Sequence, residues 1–116
     1  MKDLIEARAK KLKIDIRGFS DFLKRFTLST DNNSAKFTRG QISSTNEELN
    51  FLNSIDKGSG NVEKVIGQRI EILTKEDCLI KKVVKDYGIG RGAFEQGELY
   101  AINEELVFLN LLLLTN

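Results

Sequence analysis

The residues best placed for chemistry lie in the turn Gly88-Ile89-Gly90-Arg91-Gly92. Glycines let backbone N–H groups approach a ligand closely, helical spacing resumes after Gly92, and Arg91 can pair bidentately with a phosphate. That combination suits an anion that is held without being transformed. It is not a dinucleotide fingerprint, because no strand precedes it and the third glycine has the wrong spacing, and the Lys-Ser/Thr of a phosphate-binding P-loop is missing. The competing reading is a helix cap followed by a restart, with Arg91 solvated or paired to a glutamate. Lys81, Lys82 and Lys85 precede the turn, either as cations suited to the end of a helix dipole or as a positive rim beside the glycines.

Other chemistry is limited by what the chain lacks. It has no histidine, so the usual general base near neutral pH and the commonest metal ligand are both missing. Its one cysteine, Cys78, allows no internal disulfide and no Cys-rich zinc site, and its place in a helical pattern reads as a buried structural thiol. A non-enzymatic protein without metal or cofactor is expected.

The elements that must position the turn are helical. Asp3 followed by Glu6 resembles a capping box, and Leu4, Ile5, Ala9 and Leu12 make an apolar stripe for a helix over about 4–12, with the Arg8, Lys10, Lys11 and Lys13 cluster suiting its C-terminal dipole. Gly18 is expected to break the pattern before Phe19, Phe22, Leu23 and Phe26, which share one face as core. Residues 26–42 lose helical periodicity and read as a small β-hairpin or a polar loop. Thr45-Asn46-Glu47-Glu48 then looks like a capping box before Leu49, Leu52 and Ile55. Gly58-Ser59-Gly60 closes that helix and Asn61 can cap the next, with Val62, Val65, Ile66, Ile70 and Leu73 in phase. Thr74 starts a further helix, with Asp77 completing its cap and Leu79, Ile80, Val83, Val84 and Tyr87 on its buried face. The last helix, from Phe94 to Leu114, is apolar nearly all round.

An all-α fold follows, organised as a basic N-terminal extension over 1–40 and a helical-hairpin domain over 41–116. The 116 residues are 41% hydrophobic and 30% charged, the size and composition of one domain. A monomer this small has little interior for the final helix, so a homo-oligomer built on it is expected. The net charge of +1 is uneven, with 10 Lys/Arg against 5 Asp/Glu in residues 1–39. Charge complementarity within or between subunits explains that asymmetry at least as well as nucleic acid does. No signal core opens the chain and the Leu-rich end is too short to span a bilayer, so a soluble, cytoplasmic protein is expected.

Two segments carry a family resemblance. Glu48-Leu49-Asn50-Phe51-Leu52-Asn53-Ser54-Ile55-Asp56-Lys57, with Val62, Val65 and Ile66 beyond the glycines, resembles the first helical segment of the phage anti-CBASS cyclic-nucleotide sponges. Arg91-Gly92-Ala93-Phe94-Glu95-Gln96-Gly97 resembles that family's last-helix pattern, and the Thoeris anti-defence sponges share the hairpin. The similarity covers about residues 41–110. Asp56 stands where the family has a phosphate-contacting lysine, leaving Lys57 beside it. Gln41 stands where a base-stacking aromatic is found. The resemblance implies an oligomer that sequesters a cyclic oligonucleotide immune messenger without cleaving it, in the cytoplasm of an infected host. Arg91 would contact phosphate by the family motif. Proximity adds Lys57 to phosphate, Tyr87 for base stacking or a hydroxyl hydrogen bond, and Lys85 as rim charge. Two further readings stand beside it: a protein-interaction inhibitor docking through the basic N-terminal segment and its Phe-rich helix, and a small nucleic-acid-binding regulator, the less favoured of the two.

Overall fold

In a computed structural model of the chain, residues 1–25, 32–56, 58–87 and 92–115 are described. They form four helices, α1 (Lys2–Lys24), α2 (Asn33–Ser54), α3 (Val62–Tyr87) and α4 (Ala93–Leu114), and no strand. The fold is all-α, as expected.

The helices are longer and fewer than their sequence signals suggest. α1 starts after Met1 without a side-chain cap, Asp3 lies in its first turn, and it continues through Gly18 to Lys24. A helical glycine costs only about 1 kcal/mol relative to alanine, too little to break a helix anchored by Ile5 and Leu12. Phe19 and Phe22 are half-buried rather than core, and Phe26 lies outside the described residues.

The residues read as hairpin or loop divide similarly. Positions 26–31 lie outside the described residues, whereas from Asn33 onward the chain is α2. Asn32 provides the N-cap: its Oδ1 accepts from the backbone N–H of Ser34 at 2.7 Å and of Ala35 at 3.3 Å. Thr38 turns its hydroxyl back onto the Ser34 carbonyl at 2.8 Å, which satisfies it inside a helix it would not favour alone. Thr45 is therefore buried mid-helix rather than a cap.

Thr74 behaves likewise. It lies within α3 and donates to the Ile70 carbonyl at 2.8 Å, so no new helix starts there. α3 begins directly after Asn61, whose carbonyl accepts from Val65 N–H at 3.0 Å.

Arg8 meets Glu48, and Phe19 and Gln41 line one recess, so α1 and α2 are antiparallel; Arg69 with Glu105 and Val84 with Gly92 make α3 and α4 the same. The two hairpins join through α2 and α4. At the N-terminal end of that contact Gly40 lies on the Phe94 carbonyl and Gly97 on the Phe37 carbonyl, close enough that a methyl on either glycine would overlap the facing backbone. Toward the other end Arg8 sits on Glu48 of α2 and Phe108 of α4, so the two central helices run in the same direction.

These contacts are reciprocal because the chain repeats itself. Phe37, Gly40 and Asn46-Glu47-Glu48-Leu49-Asn50-Phe51-Leu52-Asn53 recur as Phe94, Gly97 and Asn103-Glu104-Glu105-Leu106-Val107-Phe108-Leu109-Asn110. Ile5, Arg8 and Leu12 of α1 recur as Ile66, Arg69 and Leu73 of α3. The core is built from these pairs: Ile5 with Ile66, Leu12 with Leu73, Leu52 with Leu109 and Ile55 with Leu112, joined by Ile102. An internal two-fold axis therefore runs between α2 and α4. The boundary expected at residue 40 falls inside α2, and residues of α1 share one core with those of α3 and α4.

Candidate interaction groove

Each half of the repeat places one arginine against one glutamate under cover of the other half. Arg8 Nε and Nη2 donate to Glu48 Oε2 and Oε1 at 2.8 and 3.1 Å, and the two side chains are only 12% and 2% exposed. The Arg8 guanidinium also lies 5.1 Å from the centre of the Phe108 ring, on the opposite hairpin. Its counterpart Arg69 donates to Glu105 at 2.9 and 3.2 Å and lies 5.2 Å from the Phe51 ring. Such pairs combine a bidentate charge-assisted contact with a cation–π contact. Burial pushes the Glu105 carboxyl up to about 7 despite the opposing pull of Arg69. Burial also raises Glu98, helped by the neighbouring Glu95, Glu47 and Glu76.

Beside the Arg8 pair a groove of about 470 Å³ opens between α1 and α4. Arg8 and Lys11 line one wall; Tyr100, Asn103, Glu104, Val107, Phe108 and Leu111 line the other. Lys11 holds Asp15 at 2.8 Å, and the Tyr100 ring sits 6.1 Å from that of Phe37. The α4 wall is apolar and solvent-facing: Tyr100 is 52%, Val107 61%, Leu111 54% and, just beyond, Leu114 81% exposed.

The internal two-fold supplies a control for this wall. The equivalent positions on α2 are Ser43 for Tyr100, Asn50 for Val107 and Ser54 for Leu111, while Asn46, Glu47 and Phe51 keep the types of Asn103, Glu104 and Phe108. On α3 the position of Lys11 is taken by Ile72. The same backbone thus folds with a polar helix face in one half and an apolar one in the other.

The residues singled out from sequence lie elsewhere. Arg91 and Lys57 are outside the described residues, as is the turn from Gly88 to Arg91; Gly92 is the N-cap of α4. Lys85 and Tyr87 are exposed in the last turn of α3, whereas Asp56 and Gly58 precede its first turn. The 26 residues of α3 separate those ends by roughly 39 Å at helical rise, so one ligand on one chain does not reach both. The buried face expected for residues 79–87 is largely exposed, with Leu79 at 65% and Tyr87 at 58%, whereas Ile66 and Leu73 earlier in α3 are buried as expected. Cys78 is exposed rather than structural. Lys81 is tied to Asp77 at 2.7 Å, and Asp77 is a buried mid-helix residue rather than part of a cap. Arg8, read from sequence as one of a dipole-compensating cluster, is a half-buried ion-pair partner.

The residues that sequence reading missed are Arg8, Glu48, Arg69, Glu105 and Tyr100. The repeated Asn-Glu-Glu-Leu-x-Phe-Leu-Asn run was the available signal, since a glutamate recurring between apolar residues on a helix must find a cation.

Among the described residues no helix is long and apolar enough to cross a membrane, and no group of three His, Cys, Asp or Glu side chains is placed to hold a metal ion. Comparison with protein-family models, with curated proteins and with solved structures gives no match to this chain.

Proposed function

We propose that this chain is a non-enzymatic protein-interaction module that works through the α1–α4 groove and the apolar face of α4. One observation carries the reading. Tyr100, Val107 and Leu111 are exposed apolar side chains at positions where the other half of the same fold uses Ser43, Asn50 and Ser54. The fold does not need them, and exposed apolar area is unfavourable unless a partner covers it.

The test exchanges the walls. Tyr100→Ser, Val107→Asn and Leu111→Ser together should leave dilute protein folded, with helicity retained and no more than about 2 kcal/mol lost in urea unfolding. A loss above about 4 kcal/mol, the scale of emptied core positions, would make these residues part of the fold and end the reading.

A second reading is sequestration of a cyclic oligonucleotide messenger. The sponge resemblance supports it, as do the Tyr100 ring, the Asn103 amide and the Lys11 ammonium lining one groove of ligand size. It ranks second on charge. Arg8 is committed to Glu48, Lys11 to Asp15, and Glu104 adds a carboxylate, so a ligand with two phosphates meets no cation of the lining that is not already paired. A saturable thermal shift with a cyclic di- or trinucleotide, lost in Arg91→Ala or Lys11→Ala, would reverse the ranking; a hundredfold excess over Kd should add about 2.7 kcal/mol.

A further inference from the structure

The spacing of the exposed α4 residues suits a second copy of the same helix. Tyr100, Asn103, Val107, Leu111 and Leu114 lie along one side of α4, at positions seven and four before Val107 and four and seven after it. That pattern is its own mirror about Val107. A helix laid antiparallel on this face with the same sequence would set Val107 on Val107, Leu111 on Asn103 and Leu114 on Tyr100.

The charge on the flanks is balanced. The groove carries two cations, Arg8 and Lys11, each tied to a carboxylate of its own chain, and one further carboxylate, Glu104, facing Arg8. A second copy presents the same balanced lining, whereas a strongly acidic partner would meet Glu104 with both cations already engaged. By helical spacing Leu4, 46% exposed, lies on the Lys11 side of α1 and widens the apolar face.

From these observations we infer that two copies of this chain associate through the α1–α4 face, α4 against α4 in antiparallel, with Val107 on the two-fold axis. The inference rests on reading that face as a docking surface, and commits it to a second copy. The row from Tyr100 to Leu114 is roughly 21 Å long and α1 lies about 8–10 Å to its side. That is the low end of the area that stable interfaces bury, so the dimer forms at micromolar rather than nanomolar concentration. Isologous packing closes on itself, because the same face of both copies is used.

Sedimentation velocity on the full chain from about 1 to about 100 µM should show monomer passing to dimer. Val107→Asp places two carboxylates on the axis and should keep the protein monomeric throughout with unchanged helicity; Val107 is 61% exposed, so folding does not depend on it. In a Cys78→Ser background, Val107→Cys should form a disulfide-linked dimer on mild oxidation, because the axis brings the two Cβ atoms within the roughly 3.5–4.5 Å a disulfide needs. Leu111→Cys alone should not self-link, but should link to Asn103→Cys when the two are mixed. Wild-type protein that stays monomeric at about 100 µM overturns the proposal. So does Leu111→Cys linking to itself as fast as Val107→Cys. Either result leaves the docking reading intact, since that reading stands or falls on the stability of the exchanged wall in dilute protein.

Discussion

Arg8 and Arg69 show how a pair of side chains ties the two hairpins together. Each guanidinium holds a glutamate of its own hairpin and covers a phenylalanine of the other, so removing one loosens both halves. Arg8→Ala strands the Glu48 carboxylate at 2% exposure and should cost about 3–5 kcal/mol in urea unfolding, whereas the joint change Arg8→Met with Glu48→Leu should cost far less. Arg69→Ala should destabilise as well, since it leaves the buried Glu105 carboxyl without its bidentate partner. The Glu105 carboxyl, raised from its ordinary 4.5 to about 7 by burial, makes folding pH-dependent. Between those values the folded chain binds a proton that the unfolded chain lacks. The contribution is full below about 4.5 and is lost as pH rises through about 7, a span worth up to ~3 kcal/mol. Urea midpoints should therefore fall from pH 5 to pH 8, and Glu105→Gln should flatten that fall. A wild-type profile no steeper than that of Glu105→Gln would contradict it.

Among the elements, α2 and α4 carry the design, and what holds them together is the absence of side chains. Gly40 and Gly97 each face a carbonyl of the opposite helix, so Gly40→Ala or Gly97→Ala must push the pair apart and should destabilise by about 1–3 kcal/mol or more. Gly18 in α1 faces open space, and Gly18→Ala should instead stabilise by up to about 1 kcal/mol. Thermal denaturation of the three variants would separate packing glycines from merely tolerated ones. This contrast explains why some helices were legible in the sequence and others were not. The apolar spacing of Val62 to Leu73 and of Phe94 to Leu113 announces α3 and α4 directly. The residues buried in the first half of α2 are Ala35, Thr38, Gly40, Ser44 and Thr45, small side chains that let it lie against α4, so the property that makes it a central helix removes the usual helical signal. Thr45 and Thr74 look like caps for a related reason: a threonine that bonds back to its own helix, or is buried against a neighbour, has the same letter as one that starts a helix. Gly18 looks like a break although the helix runs through it.

At the scale of the whole molecule the repeat is the organising fact, and it was written in the chain as two nearly identical eight-residue runs. Read one segment at a time, those runs describe two unrelated helices; read together, they give the two-fold axis, the paired cores and both arginine sites. The groove was less legible. Tyr100, Val107 and Leu111 belong to a helix that is apolar nearly all round, and only the fold shows which of its residues face α2 and α3 and which face solvent. The departure from symmetry, apolar on α4 and polar on α2, is what separates the use of this protein from its construction. The most direct measurement of that claim is thermal unfolding of wild-type and Tyr100→Ser/Val107→Asn/Leu111→Ser protein over about 1 to 100 µM. The wild-type midpoint should climb with concentration, while the variant stays level and meets the wild type at the dilute end. Two level curves with the variant well below the wild type would mean that the apolar wall serves the fold itself, and the account would be wrong.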